Sequence, residues 1–349
     1  MQKSSAALNL IAVIALIFIL RAGGFIFVPF VVALFLWVLI WMLDTAIERE
    51  VVDRFKLPRF VLNFSSLVSI VLIVWIAWLV VSAFTSQVPA ISSAFLAYRE
   101  SLPATTARIK ELIGIDILPF ADSVLPSESG LKKIFSVVLH SSAGIVQFVG
   151  MVAIFLLFML MERVSLEKKL PIIFGSAVKM KTDAGRLLSK ILSKVRAYML
   201  LKSLISLVTA VLSYLLMLYV GLEFAGVWAI LIGIMNFVPT LGVIISSVVP
   251  ITFTILQFGG EPAPILTMII GIALIQCTFG QLIEPLLMSK NVNISPLVQI
   301  VSMVVWGWIW GPVGMFLCIP IMIILSIVLY NIPSTKRIAI LISEDGETI

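Results

Sequence analysis

"GIVQFVGMVAIFLLFMLM", residues 144–161, carries no charge, and Gln147 is its only strongly polar side chain. About 20 helical residues cover a hydrocarbon core ~30 Å thick, so this run is long enough to cross a bilayer. "FIFVPFVVALFLWVLIWML" (25–43) reads the same way. The chain as a whole follows these two stretches: 61% of its 349 residues are hydrophobic and only 12% are charged, with a mean hydropathy of +1.18. A soluble domain is about half apolar and about a quarter charged. The fold class is therefore an all-α polytopic membrane protein. A membrane β-barrel would show alternating segments of about ten residues, and the sequence has none.

The first apolar run (8–20) ends at Arg21 and is followed closely by the next span. "RAGGF" lacks the small-residue pattern of a cleavage site, so the run reads as a span. Cys277 and Cys318 both lie inside apolar runs and His140 is the only histidine, which points to neither a disulfide nor a metal site. The net charge of +6 reads as a topology signal rather than as nucleic-acid affinity, because Lys and Arg collect in particular loops. The loop 44–59 carries Arg49, Arg54, Lys56 and Arg59, and the segment 162–202 carries ten Lys/Arg against three acids. Both are expected in the cytoplasm by the positive-inside rule, with the N-terminus.

This gives N-terminal spans (1–86) and an extracytoplasmic helical insertion with Pro89, Pro103, Pro119 and Pro126 (87–140). A fourth span (141–161), a basic amphipathic cytoplasmic segment (162–199), a C-terminal membrane bundle (200–332) and a cytoplasmic tail (333–349) follow. In the amphipathic segment Leu187, Leu188, Ile191, Leu192, Val195 and Tyr198 share one face, while Arg186, Lys190, Lys194 and Arg196 lie mostly on the other. Such a helix lies on the lipid surface or packs beneath the bundle. A regulatory or partner-binding role is the other reading.

The regions 224–258 and 294–330 are each longer than an unbroken crossing needs: about 35 residues make roughly 50 Å of helix against a ~30 Å core. Both are interrupted, at "NFVPTLG" (236–242) and "WGWIWGPVG" (306–314). Proline removes a donor and pushes the preceding residue out of the α region, so each region reads as two helical pieces hinged at depth. Irregular backbone at that depth survives only inside protein or beside a wet cavity. Paired broken segments are also the best sequence pointer to a transporter's site. The regions are either single crossings or hairpins. Hairpins keep Lys290 in the cytoplasm, as the charge rule prefers.

Between them, "ILTMIIGIALIQCT" runs into "FGQLIEPLLMSK" (279–290). Gln276, Gly280 and Glu284 fall on one helical stripe with Gln281 alongside, and Pro285 follows the carboxylate. A carboxylate in a membrane segment costs about 3 kcal/mol, so Glu284 faces protein or a wet cavity. It serves either as a cation- or solute-linked group or as a cap on a helix end. Asn236 likewise either meets a solute or satisfies carbonyls freed at the break, and Thr240 is placed to N-cap the helix resuming at 241. Trp306, Trp308 and Trp310 form either an aromatic wall or an interfacial belt. Motifs for ATP binding, zinc proteolysis and serine hydrolysis are absent, so no enzyme and no cofactor are indicated.

"NFVPTLG", "GQLIEPLLM", "ISPLV" and "WGWIWGPVGMFLCIP" resemble the motifs of the autoinducer-2 exporter family, and the likeness extends from "VPFVVALFLWVL" to "RIAILISEDGE". The resemblance implies about eight membrane segments in a bacterial cytoplasmic membrane. It implies a homo-oligomer, with pentamers described in the family, and secondary export of a small polar furanone derivative. Some members are described instead as sodium or lithium/proton antiporters. Asn236, Pro239 and Gly242 match the first motif. Gly280, Glu284, Pro285 and Met288 match the second, and Gly307, Gly311, Pro312 and Gly314 the last. The family often has asparagine at position 240, arginine at 286 and Gly-Arg at 289–290. Here Thr240, Leu286 and Ser289-Lys290 stand instead. Losing the arginine deprives Glu284 of an adjacent partner.

Overall fold

A computed structural model describes residues 2–47, 60–100, 102–114, 144–162, 183–288 and 293–346. The loop charges Arg49, Arg54, Lys56 and Arg59, the insertion residues Pro119, Pro126 and His140, the basic stretch 163–182 and Lys290 lie outside them. Among the described residues every regular element is helical. The first helices are α1 (Gln2–Ala22), α2 (Gly24–Ile47), α3 (Phe60–Glu100) and α4 (Leu102–Ile113). The helix α5 (Gly144–Glu162) follows. Then come α6 (Asp183–Val220), α7 (Ala225–Met235), α8 (Leu241–Gln257) and α9 (Pro262–Gln276), which passes through a π-helical segment (Cys277–Ile283) into α10 (Glu284–Met288). The chain closes with α11 (Pro296–Asn331) and α12 (Lys336–Ile342).

Five helical stretches among the described residues are long and apolar enough to cross a membrane: Trp78–Tyr98, Gly144–Glu162, Ser189–Val220, Pro262–Met288 and Pro296–Asn331. A sixth is present if α1 and α2, bent by 85° at their junction, form one span. Two expected boundaries are continuous backbone. α3 does not stop near 86 but continues through Pro89 to Glu100, because Ile91, Phe95 and Tyr98 recur at helical spacing and pack inward. α6 joins the basic amphipathic stretch to the apolar one without a break.

The described chain divides into two compact units. The unit formed by 75–147 and 201–287 has a core of Ile91, Met217, Trp228, Ile232, Phe253, Met268 and Ile272. Trp228, at the start of α7, lies 5.1 Å from Phe253, near the end of α8, measured between ring centroids. The two helices therefore run antiparallel, and 224–258 is a hairpin. With 11 residues in α7 and 17 in α8, the arms are about 16 and 25 Å long, too short to cross a ~30 Å core.

In the other unit (1–74, 148–200 and 288–349), Ala33 and Ile40 of α2 pack against Val152 and Leu156 of α5. α11 breaks at Gly311, whose φ of 65° and ψ of −149° belong to a region essentially reserved for glycine. A Cβ on Gly314 would stand 2.0 Å from the Trp306 carbonyl oxygen. Residues eight apart in a straight helix are separated by about 12 Å, so the chain doubles back here as well. Its tip is pinned to the bend between α1 and α2: the Trp310 indole donates to the Leu20 carbonyl at 3.0 Å, and the Arg21 guanidinium lies 4.2 Å from the centre of the Trp308 ring.

Candidate functional site

The apolar half of α6 carries a polar stripe. Lys202, Ser206, Thr209 and Ser213 recur at intervals of four, three and four residues, which places them on one helical face. All four are buried, while Leu204, Leu207, Val211 and Leu215 on other faces are exposed. A helix that hides its polar groups and exposes its leucines is inverted relative to a water-soluble one, as expected where the outer medium is lipid.

Two further elements bring polar groups to this stripe. The Lys202 ammonium donates to a Glu284 carboxylate oxygen at 2.5 Å, with side-chain exposures of 7% and 20%. Glu284 is held by the π-helical segment, where its backbone N–H reaches back to the Phe279 carbonyl. Such widened turns are frequent at functional sites because they redirect the side chains that follow. The missing arginine at 286 thus has a substitute from a different helix, and Glu284 is paired. This replaces the expectation of a carboxylate without a partner.

At the hairpin tip, Asn236 is 2% exposed and its amide donates to the Ser206 hydroxyl at 3.1 Å. That bond runs to α6 rather than to carbonyls freed at the break, and the Asn236 Oδ1 is buried without a partner among the described residues. The tip closes tightly. A Cβ on Gly242 would meet the Met235 carbonyl oxygen at 1.8 Å, so only glycine admits this approach. One turn beyond Ser213 on the same face of α6, a Cβ on Gly271 of α9 would lie 2.5 Å from Leu216. With Glu284 at Lys202, the two helices run antiparallel, which sets Gln276 level with the Thr209–Ser213 stretch. Gln276 is 5% exposed, and both its amide atoms are buried without partners among the described residues, as is the Ser213 hydroxyl.

The structure thus gathers Asn236, Gln276 and Glu284 on one buried face and adds Lys202, Ser206, Thr209 and Ser213. Gly280 lies beside them, with the Gln276 side-chain Oε1 3.8 Å from its would-be Cβ. Gln281 and Pro285 are exposed. Trp306, Gly307, Gly311, Pro312 and Gly314 belong to the other unit. There the rings of Trp306 and Trp310 meet at a tilt of 46° with centroids 5.0 Å apart, and Trp308 is exposed. The signal for Lys202 was present as a stripe at helical spacing in "KSLISLVTAVLS". It was masked because the lysine also ends the basic run between residues 162 and 202.

Thr240 occupies the N-cap position but makes no side-chain cap bond. Its φ of 58° and ψ of −62°, with the Leu241 N–H donating to the Pro239 carbonyl at 2.6 Å, define a strained γ-turn at a β-branched residue. Strain of this kind costs on the order of 1–3 kcal/mol. Thr240→Gly is expected to raise the thermal unfolding midpoint in detergent, by about 1 kcal/mol in stability once glycine's own flexibility is discounted. A fall in the midpoint would show that the threonine side chain stabilises the turn.

The profile of the AI-2E family of transporters matches residues 8–334. The chain belongs to this family. The AI-2E chain is 27% identical over 328 residues to the AI-2 transport protein TqsA of Escherichia coli (strain K12), covering 93% of this chain and 91% of that one. A protein of Haemophilus influenzae named as a candidate transport protein is 30% identical over 214 residues, 61% of each chain. With its long apolar helices, this AI-2E chain is a multi-pass membrane transporter. The motif positions at 236–242 and 280–288 frame the buried polar stripe of α6. A likeness carried by short motifs therefore marks a three-dimensional cluster.

Proposed function

We propose that this AI-2E transporter exports a small polar solute of the autoinducer-2 type across a bacterial inner membrane, along the polar face of α6. The Lys202–Glu284 pair and the buried Asn236 and Gln276 amides are the contact groups. The observation that carries this reading is the concentration there of hydrogen-bonding atoms without a partner among the described residues: Asn236 Oδ1, both Gln276 amide atoms and Ser213 Oγ. A buried polar atom without a partner costs about 1–3 kcal/mol. A solute rich in hydroxyl and carbonyl groups regains that cost by supplying the missing bonds. The name of the E. coli relative supports the solute class. The mass of Lys and Arg between residues 162 and 202 supports cytoplasmic termini, and assembly as a homo-oligomer completes the reading.

A second reading, a sodium or lithium/proton antiporter, is favoured by one observation: the ionisable pair sits within otherwise apolar helices. In that reading Glu284 exchanges Lys202 for a cation or a proton. Flux in proteoliposomes separates the two, with candidate solutes and imposed proton, sodium or lithium gradients tested on the parent and on Glu284→Gln. The export reading expects organic-solute flux that falls at least about tenfold in the variant, the loss of one charge-assisted contact. Proton movement driven by sodium or lithium, with no organic solute required, overturns it in favour of antiport.

A further inference from the structure

A second polar cluster lies in the other unit, on the N-terminal half of α6, separate from the stripe described above. Ser189, Ser193 and Arg196 line a cavity of about 420 Å³ together with Val38 of α2 and Leu192, Ala197 and Leu200 of α6. Arg196 is half-buried. It forms no hydrogen bond or ion pair with any described residue. A guanidinium carries five donors in a planar fork suited to phosphate, so one left without an acceptor in a cleft marks a site for an anion.

The order of the lining residues along the helix identifies that anion's source. Ser189, Ser193 and Arg196 precede the apolar stretch of α6, and Leu200 begins its lipid-exposed side. From Ser189 to Leu200 the helix rises about 16 Å, roughly the depth from headgroup to upper acyl chain. The exposed Lys190 adds positive charge on the same half of the helix, where anionic lipids concentrate at a cytoplasmic leaflet. We infer that this cleft binds one anionic phospholipid. Its phosphate sits on Arg196 and the two serine hydroxyls, and its first methylenes lie along Val38, Leu192 and Leu200. A free phosphate would use the arginine but leave the apolar half of the cavity unexplained.

The test is retention of phosphatidylglycerol by the purified full-length chain, read by native mass spectrometry after equilibration in mixed phosphatidylglycerol and phosphatidylcholine. The parent is expected to keep phosphatidylglycerol preferentially. Arg196→Gln is expected to lose that preference by about tenfold or more, the effect of removing one charge-assisted contact. Lys190→Gln, which removes an equal charge outside the cleft, is expected to change it little. Ser193→Leu keeps the charge and fills the cavity, and it is expected to reduce retention as well. Equal losses in Arg196→Gln and Lys190→Gln would overturn the site in favour of diffuse attraction. Retention unchanged in both cleft variants would also overturn it. Displacement of the lipid by millimolar inorganic phosphate would make it a free-phosphate site instead. The solute-flux assay does not enter this test, so its outcome is independent of the transport reading.

Discussion

Gly242→Ala is expected to prevent the α7–α8 hairpin from closing. The added methyl would stand 1.8 Å from the Met235 carbonyl oxygen and 2.8 Å from its carbon, both backbone atoms. A flexible side chain could swing aside, but the Met235 backbone cannot. It ends α7, one residue before Asn236, which is tied to Ser206. Val238 Cβ, at 3.1 Å, closes the remaining direction. Overpacking a tight site costs about 1–3 kcal/mol when side chains can adjust. A backbone collision places this change in the exceptional class of about 4 kcal/mol or more. Thermal unfolding in detergent and the yield of folded protein measure it. Gly226→Ala is the control: it lies in α7, the other arm of the hairpin, and nothing stands within 4 Å of its would-be Cβ. It is expected to be neutral or mildly stabilising, because alanine favours helix by about 1 kcal/mol. Equal behaviour of the two variants would mean that the tip is not folded as described.

Much of this architecture was legible in the sequence for a physical reason. Proline and glycine act locally, so "NFVPTLG" and "WGWIWGPVG" announce their breaks without reference to the rest of the chain. The sequence left single crossings and hairpins both open for these two regions, and in the structure the chain doubles back at each break. What was not legible depended on partners distant in sequence. Lys202 and Glu284 are separated by 82 positions, and no local pattern reports their meeting. The π-helical turn that aims Glu284 has no composition of its own by which the sequence could announce it. Thr240 was misread because a threonine before a helix normally caps it. The tight approach of Gly242 to Met235 instead forces its backbone to positive φ and spends the position on a turn. The extension of α3 beyond residue 86 was hidden by Pro89, which marks a boundary in soluble chains but is tolerated within membrane helices.

The second large effect concerns Lys202. Lys202→Met leaves Glu284 without its partner among apolar helices. Breaking one side of a buried ion pair costs about 3–5 kcal/mol, because the remaining charge stays desolvated. Glu284 keeps 20% of its side-chain surface exposed, so the lower end of that range, about 3 kcal/mol, is expected. Replacing both partners by neutral groups of similar size removes the stranded charge, and such replacements are often neutral or stabilising. Lys202→Met combined with Glu284→Gln is therefore expected to recover most of the lost stability. The two single changes and the double then form a cycle whose interaction energy belongs to the pair.

That double variant separates architecture from transport. If the pair only braces α6 against α10, a chain with restored stability carries solute as the parent does. If the pair is the contact group on the path, restoring stability leaves flux absent. The measurement is solute flux in proteoliposomes for the parent and for the Lys202→Met, Glu284→Gln double variant, at matched amounts of folded protein. The account predicts parent-like unfolding with flux reduced at least about tenfold. Parent-like unfolding with parent-like flux would contradict it.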